Sequence, residues 1–526
     1  MSDGPDPHES LQRGVVSAVG AIGLATLASR ALGYVRDMVV ARAFGAGPVT
    51  DAFFVAFRIP NLLRRLLAEG ALSTAIIPVF SESLAHGGPE SFGRMARAVA
   101  GAALVALCVV STLGALLAPW IVAVMAPGWT ADAGLFDLAV RLTRVMFPYL
   151  ALVGLAALAM GALNAHHRFF TAALGPAALN VAMILAVLGL ASRMAPPILS
   201  LAVGVLVGGL LQLLVQLPEL RRLGVPLIPS TEWRHPAVVQ IAHRLWPAVF
   251  ALAAVQITVV VNTLLASLLP TGSISYLYYA DRVMEFPLGV FGIAVATAAL
   301  PSMAAQAARG ETEALRATFR FALRLSAFIA VPATVGLVVL GLPIVRLLFQ
   351  RGEFGEAQTL FTAQALAGYA VGLPAFSATR IAAQTFYALG DTRTPVAAGF
   401  ASVAVNVALA LALMWPLQHV GLALASSLSS YVNLVMLYWL LGRRLGPLGG
   451  VELMLSLGRT LCASLVLLLW CLWLGEGLRG AWGGATWTLA ALAGGVAVYG
   501  AAAAALRAPE LRSLLGMLRR RGQTLP

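Results

Sequence analysis

The chain has 526 residues, of which 60% are hydrophobic and only 11% charged. A soluble protein of this length carries about twice that charged fraction, so with a mean hydropathy of +0.87 a soluble fold is excluded and a polytopic membrane protein is expected. The net charge is +13 and all 35 basic residues are arginine, an excess that in a membrane protein belongs to cytoplasmic loops and anionic lipid rather than to nucleic acid.

The N-terminus, MSDGPDPHESLQR, has neither a basic n-region nor a short apolar core ending in a cleavage site, so the first helix is expected to be retained. Apolar windows of about 20 residues fall at 15–40, 50–80, 98–125, 138–160, 170–191, 198–218, 243–268, 275–303, 322–349, 360–388, 395–415, 420–441, 457–475 and 484–506. They predict an all-α bundle of fourteen transmembrane helices. The windows at 50–80 and 275–303 are long and carry Pro60 and Pro287, which predicts bent helices with loosened backbone facing a cavity. With the N-terminus inside, 21 loop arginines fall on the cytoplasmic side and 5 on the other. That asymmetry predicts an even number of spans and two cytoplasmic termini. Every outside loop is short, which argues against a catalytic module there.

A weak repeat runs through the chain. Leu163 to Asn180 reads LNAHHRFFTAALGPAALN, and Leu389 to Asn406 reads LGDTRTPVAAGFASVAVN, 226 residues later. A similar shift sets Phe57-Arg58-Ile59-Pro60 beside Met284-Glu285-Phe286-Pro287. Two six-helix halves in parallel orientation follow, a layout used by alternating-access transporters. The expected segments are 1–225, 226–448 and a two-helix addition at 449–526.

Charge inside apolar segments is the main functional signal, because an arginine in hydrocarbon costs about 2.5 kcal/mol or more. On the first helix Arg30, Gly33 and Asp37 share a side, with Arg36 about 100° from Asp37. On the second, Asp51, Arg58, Arg65 and Glu69 form one stripe, and Pro60 shifts the phase so that Arg64 is the alternative to Arg65. On the eighth, Ser275, Tyr278 or Tyr279, and Arg282 share a face, with Asp281 and Glu285 on the next. Guanidiniums converging from both halves in a wet cleft match a phosphate or diphosphate, which each binds through two parallel N–H bonds. The bland reading is interhelical Arg–acid pairing, which the surplus of arginine opposes. Arg380 is a further cavity candidate. Cys108, Cys462 and Cys471 lie in apolar runs without zinc spacing, and no phosphate loop or nucleophile elbow occurs. No cofactor or metal is expected, and energy must come from a gradient or the membrane potential.

At these residues the sequence resembles the MurJ (MviN) family of lipid II flippases in the MOP exporter superfamily. The matching blocks are SRALGYVRD at 29–37, FGAGPVTDAFFVAFRIPNLLRRLLAEGALSTAIIPVF at 44–80, GALNAHHRFF at 161–170, YYADRVMEFPLGVFGIAVATAALPS at 278–302 and YALGDTRTPV at 387–396. The resemblance implies two lobes around a central cavity and a groove on the last two helices for a polyprenyl tail. It implies that Arg30, Arg36, Asp37, Arg64 and Arg282 serve headgroup diphosphate binding or transport, with Asp51, Ser275 and Glu285 lining the same region. At the positions matching a sodium site of some members stand Asn262, Asn406 and Ala410, without the acids of that site.

The expected activity is movement of undecaprenyl-diphosphate-linked disaccharide-pentapeptide (lipid II) across the bacterial cytoplasmic membrane. The partners are lipid II, membrane lipids and cell-wall synthesis proteins, not nucleic acid. Its rivals are a cation-coupled drug or polysaccharide exporter, which needs acids to dominate the cavity, and a polyprenyl-phosphate-dependent glycosyltransferase, which needs an acidic catalytic residue at an interface. A non-transporting scaffold is a third.

Overall fold

A computed structural model describes residues 28–64, 72–225, 228–477 and 484–523. Among these residues every regular element is a helix. Helix α1 (28–44) ends at Gly45, whose φ of 67° an L side chain resists. The hydroxyl of Thr50 donates to the carbonyls of Phe44 (3.2 Å) and Gly45 (3.1 Å), pinning the turn into α2 (Pro48–Arg64). Pro48 opens α2, where its missing N–H has no intrahelical partner to lose, and Asp51 lies in the first turn, beside the positive end of the helix dipole.

Helix α3 (Leu72–Leu116) breaks at Gly88 (φ 70°, ψ 175°) and is two helices in series. Then come α4 (Ala118–Met125), α5 (Ala133–Met146), α6 (Tyr149–Ala165), α7 (Phe169–Ala173), α8 (Gly175–Leu190), α9 (Leu199–Leu214), α10 (Leu217–Arg222) and α11 (Pro236–Ser267). Asp132 caps α5 by accepting from the Leu135 N–H (3.1 Å). Lipid tails are as apolar as leucine and give helices no hydrophobic drive to associate, so close backbone approach supplies the packing. Gly128, beside α4, shows this: a Cβ there would lie 2.1 Å from the Ser267 carbonyl oxygen at the end of α11.

The second half holds α12 (Ser273–Pro287), a π turn at Leu288–Gly292, α13 (Ile293–Ala308), α14 (Thr312–Val339), α15 (Gly341–Phe349), α16 (Glu356–Ala370), α17 (Leu373–Ala388), α18 (Arg393–Leu445), α19 (Gly450–Gly477), α20 (Gly484–Ala505) and α21 (Pro509–Gln523). The loosening expected at Pro287 takes the form of that π turn, the wide turn often found at functional sites.

Eight helical runs among the described residues are long and apolar enough to cross a membrane, and α16 with α17, bent by 41°, makes a ninth. One run, Arg393–Leu445, has 53 residues, which at 1.5 Å per residue is roughly 80 Å, far beyond a bilayer core of about 30 Å. It breaks at Gln418 (φ 49°, ψ −132°), so it contains both windows expected at 395–415 and 420–441.

The chain divides into two compact units between Thr271 and Gly272. This break falls one helix after the boundary expected at 225/226, because α11 packs on the first unit. The Gly128 N–H donates to Ser267 Oγ (3.3 Å) and the Ser230 N–H, just before α11, donates to the Arg97 carbonyl (3.0 Å). Helices α19 to α21 belong to the second unit, with α19 lying along α14. Each unit has a core of its own, Phe80, Phe92, Leu158, Leu163, Leu220 and Ile241 in the first, and Met303, Phe319, Ile381, Phe386, Leu437 and Leu441 in the second.

Candidate functional site

In the first unit two charged residues of α1, Arg36 and Asp37, are turned inward. Arg36 is 9% exposed and Asp37 2%. The two leave the helix on directions about 100° apart, yet the long arginine side chain curls back over its neighbour. Its Nε (3.0 Å) and NH2 (2.6 Å) both donate to Asp37 Oδ1. Its NH1 donates to Asn180 Oδ1 on α8 (3.2 Å), and the Asn180 amide donates in turn to the Ser29 carbonyl on α1 (3.2 Å). The guanidinium is therefore gripped along both edges. Charge-assisted bonds of this kind are roughly twice as strong as neutral ones, and the buried pair persists only while both members are present. Arg30, six residues earlier, is exposed.

Helix α2 contributes separate contacts. Asp51 is buried. Arg58 donates to Thr263 Oγ1 on α11, and Thr263 in turn donates to the Val259 carbonyl (2.6 Å). Arg64 is in the last turn and its Nε donates to Asn61 Oδ1 (3.1 Å). Glu69 and Arg65 lie outside the described residues.

In the second unit the expected shared face of α12 divides along its length. Ser275 and Tyr279 are fully buried, the tyrosine ring against Phe349 (4.9 Å) and Phe354 (5.4 Å). Arg282, its side chain 26% exposed, donates from NH1 to Glu285 Oε2 (3.0 Å) one turn on. Glu285 is itself exposed, two residues before Pro287.

The structure therefore joins Arg36 with Asp37 and Arg282 with Glu285, and gives Arg58 and Arg64 local partners. Asn180, Thr263 and Asn61 complete these contacts. Asn180 carries a sequence signal, since it closes the first repeat segment. Thr263 stands in an apolar run with nothing to distinguish it.

Two solved structures place this architecture in a class. One, described as lipid II flippase MurJ in an inward closed conformation, superposes with a TM-score of 0.79 at 25% identity, covering 94% of this chain and 99% of the other. The second, an inward-facing multidrug resistance MATE family transporter of the MOP superfamily, has a TM-score of 0.65 at 15% identity over 80% of this chain and 96% of the other, a likeness of fold alone. The class is a multi-pass helical transporter with the MOP fold. Within it, the family described as lipid II flippase MurJ matches residues 40–490. A probable lipid II flippase MurJ of Vibrio cholerae is 39% identical over 420 residues, 78% of this chain and 80% of the relative. A lipid II flippase MurJ of Burkholderia cenocepacia is 38% identical over 423 residues, 80% and 82% of the two chains. The chain belongs to the MurJ family of lipid II flippases, multi-pass transporters of the bacterial inner membrane rather than enzymes.

Proposed function

We propose that this protein moves lipid II from the cytoplasmic to the periplasmic leaflet by alternating access. The observation that carries the reading is the Arg36 guanidinium held by Asp37 and Asn180 in a chain of this family. Arg30, Arg36, Arg58, Arg64 and Arg282 form a cationic path for the diphosphate, while Asp37, Asp51, Glu69, Ser275 and Glu285 orient those cations or compete for them. Fourteen helices cross the membrane as two six-helix lobes in parallel repeat, with α19 and α20 added as a groove for the polyprenyl tail and both termini in the cytoplasm. The exposed Trp439 beneath the Arg443 guanidinium (4.8 Å) supports that orientation as an interfacial anchor at a cytoplasmic helix end.

The chemistry needs grip and release in turn. A diphosphate oxygen bound by a desolvated guanidinium is held strongly, and a site that holds too strongly never empties. Glu285 meets this need: it keeps Arg282 in place before the headgroup arrives and recaptures it afterwards. An inside-negative potential drives an anion outward with about 2.3 kcal/mol per charge per 100 mV. A drug exporter coupled to cations would place acids, not arginines, at these positions.

The test is purified protein in liposomes carrying lipid II in the inner leaflet, with an outside-acting enzyme as probe. Transfer of lipid II to the outer leaflet is expected, faster with an inside-negative potential. Transfer no faster than in protein-free liposomes overturns the reading.

A further inference from the structure

An acidic residue just after the last apolar run reads as a solvated helix start, yet Glu510, in the first turn of α21, is only 1% exposed. Its Oε1 accepts from Ser456 Oγ on α19 (2.9 Å) and lies 3.2 Å from Arg324 Nε on α14. Its Oε2 is buried and has no hydrogen-bond partner among the described residues. Arg324 NH1 also faces Glu452 Oε2 on α19 (3.8 Å), which Arg320 Nε approaches at 3.7 Å. Arg320 and Arg316 both reach Glu313 at 3.0 Å. One turn beyond Arg324, the Phe328 carbonyl accepts from the Tyr499 hydroxyl on α20 (2.6 Å). Arg320, Arg324 and Phe328, spaced by four residues on one face of α14, thus hold α19, α21 and α20. The exposed members of this stripe contribute little. Glu510 is different, because a carboxylate out of water with one oxygen unsatisfied is tolerated only beside its cation.

We propose that Glu510 is a positioning residue for transport, fixing α21 and the α19–α20 pair to α14 so that the four helices move as one body. The transport part rests on the proposed reading that α19 and α20 carry the lipid tail; the clamp itself does not. Without Glu510 the charged part of the clamp is reduced to solvated ion pairs beside the Tyr499 bond, and the groove loses its place relative to the helices that move the headgroup.

The test compares Glu510→Gln, Arg324→Gln and the double variant in the full chain, reconstituted in nanodiscs for hydrogen exchange and in liposomes for lipid II transfer. Each single change strands a charge, so amides at 510–516 are expected to exchange at least about tenfold faster, while those of α5 and α9 are unchanged. The double variant strands neither charge and is expected to return to within about threefold of the parent in both exchange and transfer. Ser456→Ala, which keeps the ion pair, is expected to fall between. Unchanged exchange in Glu510→Gln overturns the proposal, as does a double variant as fast as the singles or one that regains protection without regaining transfer. A parent protein that moves no lipid II would sink the proposed function, and the exchange data would still decide the clamp.

Discussion

The Arg36 and Arg282 sites differ in how firmly the protein holds a cation. Both guanidiniums meet a carboxylate at about the same distance, 2.6 Å and 3.0 Å. Arg36 is enclosed, with Asp37 on one side and an amide from α8 on the other. Arg282 is half-buried and its partner Glu285 faces outward. A buried pair is a fixed feature, since neither charge tolerates isolation. An exposed pair is weak and exchangeable. The first suits a cation that marks where a headgroup sits, and the second suits one that must change partners during a cycle.

The sharpest way to break this comparison is Asp37→Ala. It leaves Arg36 buried without its carboxylate and is expected to destabilise the protein by about 3 kcal/mol, read as a lowered unfolding midpoint in detergent, with lipid II transfer lost. A shift as small as that of an exposed pair would show that Arg36 is not confined. Next is Asn180→Ala, which removes the second grip on Arg36 and the tie from α8 to the Ser29 carbonyl. The expected cost is about 1–2 kcal/mol, with slower transfer and no rescue by added salt.

A second contrast lies in the turns before α7 and α18, which the sequence reading pairs at an offset of 226 residues. In the first unit the turn supplies a cation, Arg168, facing Glu219 on α10 at 3.5 Å. In the second it supplies an acid, Asp391, which accepts from the Arg393 (3.1 Å) and Thr394 (3.0 Å) N–H groups and the Thr394 hydroxyl (2.8 Å), and pairs with Arg444 (2.7 Å). Each turn is thus tied to a later helix by an ion pair, through a cation in the first and an acid in the second. Only Asp391 also caps a helix. The Thr394 N–H and hydroxyl, with Arg444 and the Arg393 N–H adding to them, hold its carboxyl below the ordinary carboxylate range. A lowered folded value stabilises the protein above the unfolded value of about 3.9, and that contribution disappears as pH falls through the folded value. Asp391→Ala is therefore expected to cost about 1 kcal/mol near neutral pH and to flatten the acid limb of the stability–pH profile. An unchanged acid limb would remove the cap from the account.

The smallest expected stability effect is that of Glu285→Gln, under about 1 kcal/mol. Transfer should nevertheless slow, because Arg282 loses the group that recaptures it. Unaltered transfer would mean that Glu285 only decorates the surface.

Much of this was legible in the residues. Hydropathy marked an all-helical membrane chain, and the windows at 395–415 and 420–441 fall in the two segments of Arg393–Leu445, because Pro416 and the polar Gln418-His419 interrupt one apolar run. Arg36, Asp37, Arg282 and Glu285 stood out as charges where charge is costly. Their geometry was not legible: a helical wheel separates Arg36 from Asp37, and only the reach of the side chain closes the gap. Asn180 and Thr263 are neutral residues in apolar runs, and their partners lie more than a hundred positions away. Glu510 was missed because sequence does not distinguish a solvated acid after a span from one folded under the next helix. The packing of α11 on the first unit was not legible, since it runs through backbone groups at Gly128 and Ser230.

In the proposed function Arg36 and Arg282 both serve the diphosphate of the transported lipid. A double-mutant cycle on lipid II transfer with Arg36→Lys, Arg282→Lys and the pair tests it, because lysine keeps the charge and loses the two-pronged donor. Each single change is expected to slow transfer, and the double loss to depart from the sum by at least about 1 kcal/mol. Full activity in both single variants, or losses that add to within about 0.5 kcal/mol as for distant independent sites, would contradict it.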